Sequence, residues 1–178
     1  MSELSVGQLK GLTVNTNKIT VPSGHTLYAP GHTIQTLSAT KVDGFTTTST
    51  SYVDVAGLSL SITPLSSNSK ILVTVSMNIA NSASAWSFVQ LYRGASPIHV
   101  STAGGNNATY AGNLASATSA EMIPLTISYL DSPNTISTTA YKIMVKGNDV
   151  GSTTSINRRA TDTNLGAVSS ITLMEIAQ

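Results

Sequence analysis

Three histidines, eight carboxylates and a large stock of serines are the groups in this chain that could carry acid–base, metal or nucleophilic chemistry. His25 and His32 stand seven apart, a spacing that matches no compact metal motif, and there is no cysteine to complete a ligand set. His99 stands alone. A Ser-His-Asp triad needs its serine in a recognisable local context such as a nucleophile elbow, and none occurs. The acidic residues are scattered, with no cluster spaced for a calcium loop or for a local glycosidase pair. Gly104-Gly105 is followed by no lysine and no strand-to-helix transition, so it is not a phosphate cradle. Asn107-Ala108-Thr109 fits the glycosylation sequon, but the opening residues 1–10 lack a basic region followed by an apolar block, so no secretory signal accompanies it. Arg158-Arg159 is a lone basic pair that reads as a turn or a subunit contact. The expectation is a protein without catalytic, cofactor or metal site.

Composition narrows the class further. The chain has 178 residues, enough for one compact body that buries roughly 70% of its unfolded surface. Charged residues make up 10% of it, against about 25% in an average domain. The net charge of +1 leaves no electrostatic footprint for nucleic acid or an anionic membrane, and no apolar run is long enough for a membrane helix. Serine, threonine, asparagine, glycine and alanine fill the gap. Such a surface loses little side-chain entropy when a neighbour covers it and lacks the like-charge repulsion that keeps proteins apart.

The organising stretch of the chain is 70–80, where Ile71, Val73, Val75, Met77 and Ile79 alternate with Leu72, Thr74, Ser76 and Asn78. A period of two puts the first set on one strand face, and a second sheet must cover it. Other alternating runs surround it: 33–42 closed by Asp43-Gly44, 52–55 and 58–62 around Ala56-Gly57, 85–92, 98–100, 122–130, 140–146 and 169–176. Phe45 to Ser51 reads as a hydroxyl-rich connection or edge, 93–97 as a turn, and Pro124 marks an edge strand. Trp86 and Phe88 are expected to supply the largest core side chains, from a strand paired with 70–80. No dependable pattern covers 101–120, which reads as a long loop able to contact a neighbour. The sum is an all-β, single antiparallel β-sandwich of jelly-roll type, with about eight strands over residues 34–178.

Residues 1–33 differ. Leu4, Val6, Leu9, Leu12, Val14, Ile19 and Val21 are thinly spaced apolar points broken by Gly7, Gly11, Pro22 and Gly24. Leu4/Val6, Leu12/Val14 and Ile19/Val21 are i, i+2 pairs that suit brief extended pieces. This pattern predicts an extended N-terminal arm that docks on a partner surface, with Tyr28, Ile34, Tyr110, Arg158 and Arg159 as candidate contacts to a subunit or neighbour. Stretched at about 3.3 Å per residue it would reach roughly 110 Å.

Segments in a fixed order add a resemblance. These are 11–25, 28–35, 49–64, Ser69-Lys-Ile-Leu-Val73, Phe88-Val-Gln-Leu-Tyr-Arg-Gly94, Leu130-Asp-Ser-Pro133, Asn157-Arg-Arg-Ala-Thr-Asp-Thr163 and Ile171-Thr-Leu-Met-Glu-Ile176. Together they resemble small virion proteins of tailed bacteriophages, especially cyanobacterial and marine phages, where such modules serve as head decoration (cement) proteins and fibre tips. The resemblance implies a homotrimer exposed on the particle, made in the host cytoplasm, with the major capsid protein as partner. A fibre subunit usually carries a long shaft or a large attachment domain, and 178 residues from Met1 are expected to leave no room for one. The alternative is a short tail or head fibre, or a receptor-binding tip, that contacts fibre proteins or a host surface glycan through the 101–120 loop.

Overall fold

The computed structural model describes residues 21, 23, 25, 27, 29–82, 85–113 and 121–178. Among these residues eleven strands run in chain order: β1 (Thr33–Lys41), β2 (Phe45–Thr47), β3 (Val53–Ile62), β4 (Lys70–Asn81), β5 (Trp86–Arg93), β6 (Ser96–Ile98), β7 (Tyr110–Asn113), β8 (Ile123–Asp131), β9 (Thr139–Gly147), β10 (Thr154–Ile156) and β11 (Ser169–Ile176). No helix occurs among the described residues. The paired strands are antiparallel throughout and form two sheets.

β10 and β11 both lie along one edge of β4, with β2 and β1 beyond them and β8 on β4's other edge. In the second sheet β9 joins β3 to β5, and β6 and β7 share β5's far edge. Counting strands that share a neighbour's edge as one lane, the first sheet has four lanes and so has the second. Lanes pair first with last and inward: β1 with β11, β3 with β9, β4 with β8, β5 with β6 and β7. That is a long antiparallel ribbon rolled into a jelly roll.

The alternation in β4 decides where the core lies. Ile71, Val73, Val75, Met77 and Ile79 are at most 1% exposed. They meet Val55, Leu58, Ile62, Val89, Leu91, Tyr141, Ile143 and Val145 from the opposite sheet. Each such burial is worth about 1.5–3 kcal/mol. The edge role expected from Pro124 holds, because β8 pairs only with β4.

Several expectations need correction. β5 does not pair with β4; it lies in the other sheet, beside β9. Its inward face is Ser87, Val89 and Leu91, so Trp86 is 48% exposed and the largest fully buried side chain is Tyr141; Phe88 is buried as expected, but on the outward face beneath Lys146. Residues 52–55 and 58–62 form one strand with a register shift between Asp54 and Ser59. Gly57 takes φ +86° there and lies against the aliphatic stem of Lys41, 3.4 Å from where a Cβ would stand. β7 and β10 were not expected; both are too short to show a period. β5 runs on to Arg93, leaving a two-residue turn, Gly94-Ala95, before β6. Ile34 is the unpaired residue at a shift in the β1–β11 register.

Buried polar clusters seal both ends of the apolar layer. At one end Arg93 Nη1 donates to both Asp131 oxygens at 2.9 Å, and Tyr141 Oη donates to Asp131 Oδ2 at 2.7 Å. Nearby, Glu175 is fully buried and accepts from Gln35 Nε2 and from the Leu65 amide. At the other end Asn81 Nδ2 donates to Ser87 Oγ at 2.9 Å, and Ser87 and Thr154 share a further bond of 2.9 Å. Asn157, left-handed at φ 61°, donates from Nδ2 to the Lys41 and Asp43 carbonyls and so fixes the break between β1 and β2. The Asp43 carboxyl is held below its ordinary value, chiefly by the hydrogen bond from Lys41.

Two outcomes follow for stability. Trp86→Ala should change unfolding free energy by less than about 1 kcal/mol, whereas a buried tryptophan would cost about 3–5; urea denaturation separates the two. Burial first, then the bond to Asp131, raises the Tyr141 phenol above its ordinary value. Its contribution is therefore fully present below about pH 10, where unfolded phenols are still neutral, and is lost as pH rises beyond that. Tyr141→Phe should cost about 1–3 kcal/mol at pH 8, and the gap to the parent chain should narrow by pH 11. A gap that stays constant with pH would contradict this assignment.

Candidate functional site

The two outer faces of the sandwich differ in chemistry. On the first sheet, register places Ser128, Thr74, Thr172 and Ser38 in one row across four strands, and Thr126, Ser76, Ser170 and Thr40 in the next. All eight are exposed or half-buried, and neither row contains a charge. Ser38 and Thr172 share a hydroxyl–hydroxyl bond of 3.2 Å. A third row, Leu130, Leu72, Met174 and Thr36, turns apolar, with Leu130 47% exposed. In the first two rows period-two alternation turns a serine or threonine outward at every position, and β-branched threonine suits the pleat.

The outer face of the second sheet carries rings and ammonium groups. Trp86, Phe88, Gln90 and Tyr92 line it along β5, and Lys142, Met144 and Lys146 along β9. Lys146 Nζ stands 4.9 Å from the Phe88 ring centre and 5.2 Å from that of Tyr52, and Lys142 Nζ 5.8 Å from that of Tyr92. Lys142 also pairs with Asp54 at 2.8 Å. Asn107 ties its loop to this face: its carbonyl accepts from Gln90 Nε2 at 2.8 Å and from Tyr52 Oη at 3.3 Å. Burial, and then the neighbouring Tyr92, pushes the Tyr52 phenol up to about 12.

Where the open edges of the two sheets meet, His99, Val100, Ser101, Ala108, Thr109 and Tyr129 line a concavity of about 470 Å³. His99, at φ 53°, stacks on Tyr129 with ring centres 4.6 Å apart. Among the described residues no carboxylate lines this cavity, and Ser101 Oγ accepts from the Ala103 amide. His99 therefore packs over the sandwich edge with neither an orienting acid nor a poised nucleophile beside it. Among the described residues, no group of three His, Asp or Glu side chains could hold a metal ion.

The residues singled out in the sequence disperse. Leu4, Val6, Leu9, Leu12, Val14, Ile19 and Tyr28 lie outside the described residues. Val21 and Leu27 are 41% and 55% exposed. Gly31 N donates to the Ala177 carbonyl and Ala177 N to the His32 carbonyl, so the ladder with the C-terminal strand begins at Gly31. Ile34 is half-buried, and Tyr110 packs against the core cluster. Arg158 and Arg159 organise their own loop: Arg158 Nη2 reaches the Asp162 carbonyl at 3.2 Å and Arg159 pairs with Asp162 at 3.3 Å. The Arg158 stem lies over Gly44, where a Cβ would come within 2.8 Å of it, so the Asp43-Gly44 turn needs its glycine for close approach. The aromatic face was missed because Trp86 and Phe88 alternate with Val89 and Leu91, and periodicity alone does not say which set faces inward.

No protein-family model matches the chain, and no curated protein matches it. Among solved structures, a chain of the "Structure of infectious bursal disease virus Gt strain" aligns over 90% of this chain at 12% identity, with a TM-score of 0.43. This chain covers 42% of that one.

Proposed function

We propose that this protein is a non-enzymatic structural component of a virus particle, a head decoration (cement) protein of a tailed phage that binds across neighbouring capsid subunits. The observation that carries the reading is the chargeless double row of hydroxyls on the first sheet. Serine and threonine both donate and accept, lose little rotamer entropy, and present no like charge to an approaching protein. The exposed Val21 and Leu27 add to it, because they lie just ahead of the point where the chain enters the sheet and stay 41% and 55% exposed. Burying such side chains on a partner yields about 25 cal/mol per Å² of apolar surface. A trimer with three leading segments would multiply weak contacts through effective concentration. The ordered segments that resemble phage virion proteins point the same way.

The second reading, a short fibre or receptor-binding tip, draws on the exposed Trp86 face of the other sheet. Imaging of the intact particle separates them by location.

Deleting residues 1–30 leaves the Gly31–Ala177 and His32–Ala177 bonds in place, so the body should stay folded. Its cosedimentation with capsids should fall at least tenfold. Thr74→Lys with Thr172→Lys should weaken capsid binding by a similar factor. Undiminished binding by both variants would refute the cement reading.

A further inference from the structure

The second sheet carries three basic side chains, and they differ in their partners. Arg93 is held by Asp131, and Lys142 by Asp54. Lys146 pairs with no carboxylate among the described residues; its polar contact is a 3.4 Å bond to Asn106 Oδ1. Its ammonium rests on the faces of Phe88 and Tyr52. Phe88 faces Lys146 in the β5–β9 register, and Trp86 is the next residue on that face, with its carbonyl taking the Asn148 amide at 2.9 Å. The 48% exposed indole and the Lys146 ammonium, which has no carboxylate partner among the described residues, thus belong to neighbouring positions on one sheet face, with the exposed Asn106 bonded to the lysine.

We propose that this patch binds a carboxylate-bearing sugar residue, such as a uronic acid unit of an acidic polysaccharide. A pyranose has an apolar C–H face and a polar rim, and an exposed indole offers a flat surface of matching size. The sugar carboxylate accepts a charge-assisted hydrogen bond from Lys146 Nζ, which the two rings hold in place, and a ring hydroxyl reaches the Asn106 amide. The lysine selects an acidic sugar over a neutral one: a carboxylate gives it the counter-charge that the sheet does not supply. The site is independent of the cement reading, because it uses neither the hydroxyl rows nor the residues ahead of Gly31.

The full chain is titrated by calorimetry with oligogalacturonate, with a neutral maltooligosaccharide of equal length and with polyglutamate. Oligogalacturonate should bind at least tenfold more tightly than the neutral sugar and weaken severalfold between 50 and 500 mM salt, as expected from Debye screening. Trp86→Ala should lose at least tenfold in affinity for oligogalacturonate while keeping the parent circular dichroism spectrum. Lys146→Met keeps the aliphatic stem and should abolish the preference for the acidic sugar. Absence of oligogalacturonate binding by the folded chain would overturn the proposal. So would equal binding by parent and Trp86→Ala, or polyglutamate binding as tight as oligogalacturonate, which would reveal a bare ammonium contact. Removing residues 1–30 should leave sugar affinity unchanged, so this site and the capsid-binding role fail separately.

Discussion

Two sheets joined only by the connections of the chain must be kept face to face, and this constraint runs through the whole molecule. The chain has no cysteine, so no disulfide bridges the layers. The apolar rows of β4 and β9 supply most of the attraction, but hydrophobic burial is non-directional and would tolerate sliding. Direction comes from the buried polar clusters at the strand ends. Asp131 reaches from β8 to Arg93 and Tyr141 on the opposite sheet, and Asn81 with Thr154 reaches from the first sheet to Ser87. A carboxylate so nearly buried is costly unless its oxygens are bonded, so only the register that unites the three groups is favoured.

Once the interior is sealed in this way, the outer faces are free to diverge. Side-chain alternation gives each strand one buried and one outward set, and the outward sets of the two sheets have different compositions. The first is neutral and hydroxyl-coated, made of small groups that adapt to a protein neighbour. The second is aromatic and cationic, with ammonium groups above the rings. A single jelly roll thereby offers two surfaces of distinct chemistry on opposite sides, and the chain enters the body at the edge of the hydroxyl-bearing sheet.

The local backbone features serve the same end. Gly57 yields the bend in β3 that admits the Lys41 stem, and the Asn157 amide ties off the corner where β1 gives way to β2. The first lies at a register shift within β3 and the second at the break between β1 and β2. Of the groups named from sequence, Arg158 and Arg159 bond within their own loop and Tyr110 packs against the core cluster, each keeping part of its surface exposed.

The sequence by itself determined the all-β class, most of the long strands and the buried face of β4, because a period of two written over many residues leaves one interpretation. It also determined the scarcity of charge and the absence of a local catalytic motif. What it could not decide was the inward set of β5, where both alternating sets carry apolar residues, or the short strands β7 and β10, which have too few residues to show a period. Only the tertiary structure decided those, since β9 presents Ile143 and Val145 on the side where Val89 and Leu91 complete the core and thereby turns Trp86 outward. The hydroxyl rows and the Trp86–Lys146 patch likewise exist only after register aligns residues dozens of positions apart. Strand pairing is a long-range choice, fixed by the total burial of two sheets and by the few polar bonds that cross between them.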